Sequence, residues 1–203
     1  PGPLTLAHIG ALGRGRGWPQ MLDALALCPP GTRLRLIGRF TDGSEEAFRA
    51  RAAALGLAGR IEHLPWMPQP EALARLAECD IGLVLFQPGE ENHRLALPHK
   101  LFDCMLAGLP VIAPAFAEEV AAVVRDTGCG APVDSADPGA IAAAIAALGA
   151  PARRAEMGEA GRRAALGRFG WAGEAARLVK LYRDLAPLAA TQEGSNDAVE
   201  AAA

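Results

Sequence analysis

The chain has 203 residues, a formal net charge of −3, 51% hydrophobic residues and 21% charged residues. This balance is typical of one globular domain with an appendage, and it offers no basic field that would attract a nucleic acid. No apolar run reaches the roughly 18 residues that a membrane span needs. The cysteines lie far apart and form no C-x-x-C pair, so we expect four buried thiols rather than a disulfide or a metal site: Cys28, Cys79, Cys104 and Cys129.

The amino terminus begins directly at a predicted strand. Residues 1–7 carry no basic leader, which together with the cysteine usage predicts a cytoplasmic protein. No initiator methionine precedes them, as expected of a fragment, whether natural or engineered.

Short apolar strands alternate with amphipathic helices along most of the chain. In chain order the sequence predicts strand Leu4–Ile9, helix Trp18–Leu27, strand Arg33–Ile37, helix Ser44–Leu55, strand Ile61–Leu64, helix Pro70–Glu78, strand Asp80–Phe86, a polar loop, helix Pro98–Ala107, strand Pro110–Ala113, helix Glu118–Asp126, strand Ala131–Val133 and helix Pro138–Leu148. Ser44 and Asp137 have the side chains that cap helices.

The predicted strands are apolar without alternation, which is typical of parallel sheets covered on both faces. Residues 1–150 are therefore expected to form an α/β, doubly wound, Rossmann-like sheet of about six parallel strands with helices on both faces. Residues 151–186 read as two further helices, Ala152–Arg168 and Trp171–Leu185, which form a C-terminal helical annex packed on the sheet domain. The composition of residues 187–203 predicts a disordered tail.

In such sheets ligands bind at the carboxyl ends of the strands. A glycine-rich turn, Gly10–Trp18, follows the first strand; Gly10 and Gly17 would let the backbone approach a ligand, and Arg16 could pair with a diphosphate. The alternative is a flexible basic turn. The dinucleotide fingerprint G-x-G-x-x-G fails because Trp18 replaces its third glycine.

The next two strands end in candidate contacts for a nucleoside. Gly38 and Arg39 follow the second strand, where an NAD enzyme would need an acid, so Arg39 suits a 2′-phosphate or is a surface residue. Trp66, in the rigid turn after the third strand, could wall a base pocket or simply pack. His8 and His63 read as core or supporting histidines rather than as catalytic bases.

The segment around Pro98 carries the strongest signal in the sequence. A helix that opens at Pro98 would direct free backbone amides, those of His99 and Lys100 among them, and the Lys100 side chain toward a phosphate. Asp103 lies one turn further on the same face, within reach of ribose hydroxyls. Because all four of these loops leave the same edge of the sheet, the sequence predicts a nucleoside-diphosphate site there.

These segments resemble the C-terminal, donor-binding domain of retaining family 4 glycosyltransferases, which have two Rossmann domains (GT-B type). The resemblance covers about residues 4–185, and it is carried by Gly10…Arg16-Gly17, Leu36-Ile37-Gly38, Cys79-Asp80-Ile81-Gly82-Leu83 and Pro98-His99-Lys100-Leu101-Phe102-Asp103…Gly108-Leu109-Pro110-Val111.

The resemblance implies residue roles. Arg16 would contact the diphosphate, the amides around Pro98, His99 and Lys100 would hold phosphate or sugar, and Asp103 would bind ribose as the second acid of the family's E-x7-E signature. Gly38, Arg39 and Trp66 would border the base. The first acid of the signature falls on Leu95, so its contact is missing or moves to Glu90, Glu91 or Arg94, and the catalytic residues stay unassigned.

The resemblance also implies an activity. The chain would be the donor half of a hexosyltransferase that uses a UDP- or GDP-type sugar with retention of configuration in polysaccharide biosynthesis, with no metal and no further cofactor. An N-terminal Rossmann domain outside this chain would bind the sugar or lipid-linked acceptor and make any peripheral membrane contact, so the isolated chain is expected to be inactive. The open alternatives are a sugar-nucleotide epimerase-like protein, an NADP-type domain that uses Arg39, and a non-catalytic binding module.

Overall fold

The structure, a computed structural model, describes residues 3–200, with side chains as far as residue 186. Its elements in chain order are β1 (Thr5–Leu12), α1 (Trp18–Leu27), β2 (Arg33–Phe40), α2 (Glu45–Ala54), β3 (Ile61–Leu64), α3 (Gln69–Leu76), β4 (Ile81–Leu83), α4 (Glu91–Leu95), α5 (His99–Leu106), β5 (Val111–Pro114), α6 (Glu118–Thr127), β6 (Gly130–Val133), α7 (Pro138–Ala147), α8 (Pro151–Leu166) and α9 (Trp171–Glu200). Two short 3-10 turns cover Arg14–Arg16 and Ala58–Arg60.

The six strands form one parallel sheet in the order β3-β2-β1-β4-β5-β6. Thr5 pairs with Arg33 and Leu6 with Ile81, so β1 lies between β2 and β4. The chain crosses outward in one direction from β1 to β3 and in the other from β4 to β6. The order therefore reverses between β1 and β4, where doubly wound sheets leave a crevice for a ligand. The predicted α/β fold is confirmed.

Apolar side chains cover both faces of the sheet, as its strand composition predicted. On one face α1, α2 and α7 contribute to a single buried cluster with β1, β2 and β4. Leu76 of α3, Leu101 of α5 and Val120 of α6 are fully buried as well. The four cysteines are free and buried, as expected, and burial raises the pKa of the Cys104 thiol to about 12.

The structure corrects three local predictions. The polar loop before Pro98 contains the short helix α4. Helix α5 begins at His99, with Pro98 as its extended N-cap residue. Ser44 makes no side-chain cap: its Oγ donates to Asp42 at 2.6 Å and accepts from the Trp18 indole at 2.8 Å, because the indole is buried and needs an acceptor. Asp137 caps α7 as predicted.

The chain forms two compact units, Pro1–Ala165 and Leu166–Ala203. Within the first unit α8 packs closely, since a Cβ on Gly158 would lie 1.9 Å from the Gly108 carbonyl oxygen. The second unit contains α9, whose backbone continues as a helix beyond its predicted end at Leu185. Side chains of residues 187–200 and all of 201–203 lie outside the described part, so the expected disorder of 187–203 stays a prediction. Within that described part, every helix falls short of the combined length and hydropathy that crossing a bilayer requires.

Candidate functional site: the carboxyl ends of β1 and β4

The site is built on glycines at the carboxyl end of β1. Gly10 has φ +95°, and a Cβ there would lie 3.8 Å from Cε of Lys100, so the lysine side chain runs directly past the strand. Gly17 caps the amino end of α1 with φ +83°, and a Cβ there would lie 2.1 Å from the Leu85 carbonyl oxygen. Only glycine lets the turn pack this closely on the chain after β4.

Lys100 extends from the first turn of α5 to a buried histidine of β1. Its Nζ lies 3.2 Å from Nε2 of His8, which has no exposed surface. The other ring nitrogen, Nδ1, lies 3.1 Å from the Leu83 carbonyl oxygen. His8, which the sequence predicted to be a core or supporting residue, therefore lies in the core. It contacts Lys100, the predicted phosphate ligand.

Arg16 has a similar partner from α4. Its Nη1 lies 3.1 Å from Nε2 of His93, which is 2% exposed. Nδ1 of His93 lies 2.8 Å from the Gln87 carbonyl oxygen, in the segment that follows β4. The guanidinium is thus fixed by a short helix that the sequence analysis read as loop.

Burial and neighbouring charge shift the pKa values of Lys100 and His8. The pKa of Lys100 is lowered from 10.5 to about 8, first because the ammonium is buried and second because Arg16 places a like charge nearby; Cys104 and Asp103 oppose this shift. Burial, followed by the charge of Lys100, lowers the pKa of His8 to about 3. The site therefore holds positive charge that an entering anion would stabilise.

A pocket of about 230 Å³ has Gly10 in its lining, the glycine that the Lys100 side chain runs past; Lys100 and Arg16 themselves are not lining residues. Asp103, only 9% exposed, faces it, and its Oδ1 accepts a hydrogen bond of 2.7 Å from Nε2 of Gln69. Trp66 borders the pocket with 67% of its surface exposed, so its role is not core packing. The lining combines an apolar floor with one carboxylate and one amide: Ile9, Gly10, Ile37, Trp66, Met67, Gln69, Ala72 and Asp103.

The other residues that the sequence predicted for the site differ in their distance from this pocket. Gly38, with φ +147°, sits opposite Gly10 in the sheet, and a Cβ there would meet the Gly10 carbonyl oxygen at 2.0 Å. Pro98 is half-buried, whereas Arg39 and His99 are exposed and do not line the pocket. His63 is exposed rather than in the core, with Nε2 at 3.0 Å from the Gly38 carbonyl oxygen.

Leu95 stands where the family has the first acid of its signature, and the three residues that could supply the missing contact have different surroundings. Arg94 pairs with Glu91 and with Glu118 of α6, on the exposed side of α4. Glu90 instead faces the glycine-rich turn: its Oε2 lies 3.5 Å from Nε2 of His93, and its Oε1 would lie 3.8 Å from a Cβ on Gly15. Leu95 is 52% exposed. Of the three, Glu90 is the one that approaches Nε2 of His93, the atom that Arg16 contacts.

Two residues of the site, His93 and Gln69, were not predicted from the sequence. His93 stood in a polar segment without helical periodicity, and Gln69 stood at an expected helix start next to proline. Each is identified only by its partner, Arg16 for the first and Asp103 for the second.

A larger hollow of about 530 Å³ lies at the opposite, amino-terminal edge of the sheet, lined in part by Arg35 and Glu62. There the guanidinium of Arg35 is already neutralised by Glu62 and Glu78, each at 2.7 Å. Arg33 and Arg60 also line this hollow, and Arg60 donates to the carbonyl oxygens of Leu25, Thr32 and Pro29. We prefer the β1–β4 edge for a ligand because it lies at the carboxyl ends of the strands, where doubly wound sheets bind their ligands.

Several known proteins are similar to this chain in sequence or in fold. A D-inositol 3-phosphate glycosyltransferase of Segniliparus rotundus is 32% identical over 189 residues, which are 90% of this chain and 40% of that protein. The crystal structure of Anabaena Alr3699/HepE in complex with UDP and glucose superposes with a TM-score of 0.77 at 21% identity, over 90% of this chain and 49% of that one. The C-terminal domain of the Francisella tularensis glycosyl transferase LpcC matches with a TM-score of 0.68 at 16% identity, over 82% and 85%.

The two longer relatives show that this chain spans less than half of their length. The solved structures share its fold, the GT-B domain with a parallel sheet and C-terminal helices. Residues 3–150 match the family "Glycosyl transferases group 1". Since that match extends over well more than half of the sequence, the chain belongs to the group 1 glycosyl transferases.

Proposed function

We propose that this chain is the donor-binding part of a retaining family 4 glycosyltransferase, and that it binds a nucleoside-diphosphate sugar in the crevice between β1 and β4. One observation carries the proposal. Arg16 lies near enough for its charge to act on Lys100, and Lys100 runs past Gly10, which lines the pocket that presents Asp103. A diphosphate joined to a nucleoside has this pattern of charge and polarity.

The ligand would lie across the site in three parts. The diphosphate would contact Arg16, Lys100 and the first backbone N–H groups of α5, those of His99 and Lys100, which follow the N-cap residue Pro98 at the positive end of that helix. Asp103 would accept hydrogen bonds from ribose hydroxyls. The base would lie toward Trp66, with Gly38 and Arg39 at the border of its site.

Transfer breaks the bond between the sugar and the terminal phosphate, and negative charge develops on the departing phosphate. Lys100 and Arg16 are already in place to stabilise that charge, so no metal is needed in the proposed mechanism. Position 95 has leucine instead of the family's first signature acid. We propose that Glu90, which approaches His93, lies near the sugar and takes the place of that acid.

The remaining half of the enzyme is also part of the proposal. The D-inositol 3-phosphate glycosyltransferase is more than twice as long as the segment that matches this chain. We propose that a second Rossmann domain, outside this chain, binds a hydroxyl-bearing sugar or lipid-linked acceptor. Transfer requires both substrates to be oriented in one closed cleft. The chain by itself is therefore expected to bind the donor and to transfer hexose very slowly.

Calorimetry with UDP, GDP and ADP tests the proposal. Lys100→Ala and Arg16→Ala are each expected to weaken binding by about tenfold or more, since hydrogen bonds to charged groups contribute about 1.5–3 kcal/mol. Lys180→Ala and Arg49→Ala are matched controls, because both side chains are exposed and form surface pairs with Asp184 and Glu45. A folded wild-type chain that binds none of the three nucleotides would refute the proposal, and protection by NADPH instead would favour the NADP-type alternative.

A further inference from the structure

Two buried histidines stand behind the two cations of the site, in the same arrangement. In each ring Nδ1 faces a backbone carbonyl oxygen of the segment around β4, that of Leu83 for His8 and that of Gln87 for His93. In each ring Nε2 faces a cation, Lys100 for His8 and Arg16 for His93. The two contacts come from different elements, β1 and α4, so local sequence does not explain the repetition.

Hydrogen-bond chemistry fixes the tautomer of His8. A carbonyl oxygen only accepts, so Nδ1 carries the hydrogen that it donates to Leu83. An ammonium only donates, so Nε2 presents a lone pair to Lys100. The Ala11 carbonyl oxygen also lies 3.2 Å from Nε2 and would favour the other tautomer, but that tautomer would turn an N–H toward the ammonium. The charged lysine thus selects the Nδ1–H form.

The same reasoning applies to His93. Nδ1 donates to Gln87, and Nε2 accepts from the Arg16 guanidinium, which has no acceptor of its own. Oε2 of Glu90 lies 3.5 Å from that nitrogen and is a charged acceptor on the same side. Without the histidine lone pair, the guanidinium would be free to turn toward that carboxylate and away from an incoming anion.

We infer that His8 and His93 are positioning residues, whose Nε2 lone pairs hold the Lys100 ammonium and the Arg16 guanidinium in the orientation that binds the diphosphate. The inference rests on the proposed donor site and deepens it. A neutral acceptor behind each cation orients it without neutralising it, so the positive charge stays available for the ligand. A carboxylate in the same place would compete with the phosphate for the cation.

Lys100 allows a test that needs no ligand. Lys100 and Lys180 are the only lysines in the sequence, so a protein labelled with ¹³C at lysine Cε gives two resonances, which Lys180→Arg assigns. Around Lys100, the groups that act on its titration are His8 of β1, Arg16, and Asp103 and Cys104 of α5. All of them except His8 stay unchanged in the variants below.

His8→Asn and His8→Gln distinguish the two contacts of the ring, Nδ1 with the Leu83 carbonyl oxygen and Nε2 with the Lys100 ammonium. Asparagine places its amide near the Nδ1 position and can still donate to Leu83, but it does not reach Lys100. Glutamine extends to the Nε2 position and can offer its carbonyl oxygen to the ammonium. We expect the Lys100 pKa in His8→Asn to fall about one unit below that in His8→Gln, because an ammonium that loses an acceptor is less stable.

Binding of UDP at neutral pH should follow the same division. His8→Asn is expected to weaken binding by about tenfold, and His8→Gln by less than about threefold. His93→Asn and His93→Gln should repeat this pattern through Arg16. Thermal unfolding establishes that each variant is folded.

Equal Lys100 titration and equal UDP affinity in folded His8→Asn and His8→Gln would overturn the inference. If the wild type binds none of UDP, GDP and ADP while the two variants still differ in Lys100 titration, the donor-site proposal is refuted and the positioning contact stands. If the wild type binds UDP and all four histidine variants bind it equally well, the donor site stands and the positioning inference is wrong.

Discussion

The titration of Lys100 predicts how the affinity for UDP depends on pH. In the empty site the pKa of Lys100 is lowered to about 8, so the ammonium is charged below that pH and neutral above it. A bound diphosphate stabilises the charged form and moves the pKa back toward its ordinary value of 10.5. UDP therefore binds with full affinity below about pH 8, and its affinity falls as the pH rises toward the pKa of the bound state.

The size of the effect follows from these two values. At about pH 10, a group with a pKa of about 8 is charged in about one molecule in a hundred, so wild-type affinity should fall by about 50- to 100-fold between about pH 7 and about pH 10. Phosphate itself is fully ionised over this range, because its second pKa is about 6.

Lys100→Arg is the matched control, because arginine stays charged throughout. Calorimetry of both proteins over the same pH range measures the ratio of their affinities, which cancels the titration of the nucleotide base. The wild type should also take up a proton on binding near pH 9, seen as a dependence of the binding heat on the buffer. A ratio that stays constant from about pH 7 to about pH 10 would refute this account of Lys100.

Three further changes have expected outcomes. Asp103→Asn should lower the affinity for UDP by about tenfold, while 2′,3′-dideoxy-UDP binds both proteins equally; a loss that is the same for both ligands would contradict a ribose contact. Trp66→Ala should leave the melting temperature unchanged, because the ring is mostly exposed, and should reduce UDP affinity by about 1–3 kcal/mol but not pyrophosphate affinity. Gly17→Ala should lower the free energy of unfolding by about 3 kcal/mol or more in a denaturant titration, because the new Cβ would clash with the Leu85 carbonyl oxygen at a residue whose φ is already positive. Gly43 also has a positive φ but faces open space, so Gly43→Ala should lower it by only about 1 kcal/mol. Equal losses in the two variants would contradict the role of the clash.

The sheet was predictable because its strands and helices each have a local signal. The run Asp80–Phe86 is apolar without alternation, and it contains β4 and a buried continuation. Arg16 and Lys100 lie at one edge because the strands are parallel, so the segments that follow them leave from the same edge of the sheet. Their approach was therefore open to inference from sequence, although their distance was not.

Helix α4 and its contacts were not predictable on the same basis. A helix of one turn has little intrinsic stability, so α4 depends on tertiary contacts such as that of Arg94 with Glu118. The contact of His8 with Lys100 joins residues 92 positions apart in the sequence, and nothing in the local pattern of β1 distinguishes a packed histidine from one that faces a cation. Such pairs are set by side-chain packing across elements, which periodicity does not describe.

A crystal structure with bound UDP tests the central claim most directly. We expect the terminal phosphate within hydrogen-bond distance of both the Lys100 ammonium and the Arg16 guanidinium, with a ribose hydroxyl on Asp103. UDP bound at another edge of the sheet, or bound here while both cations turn away from its phosphates, would contradict the account.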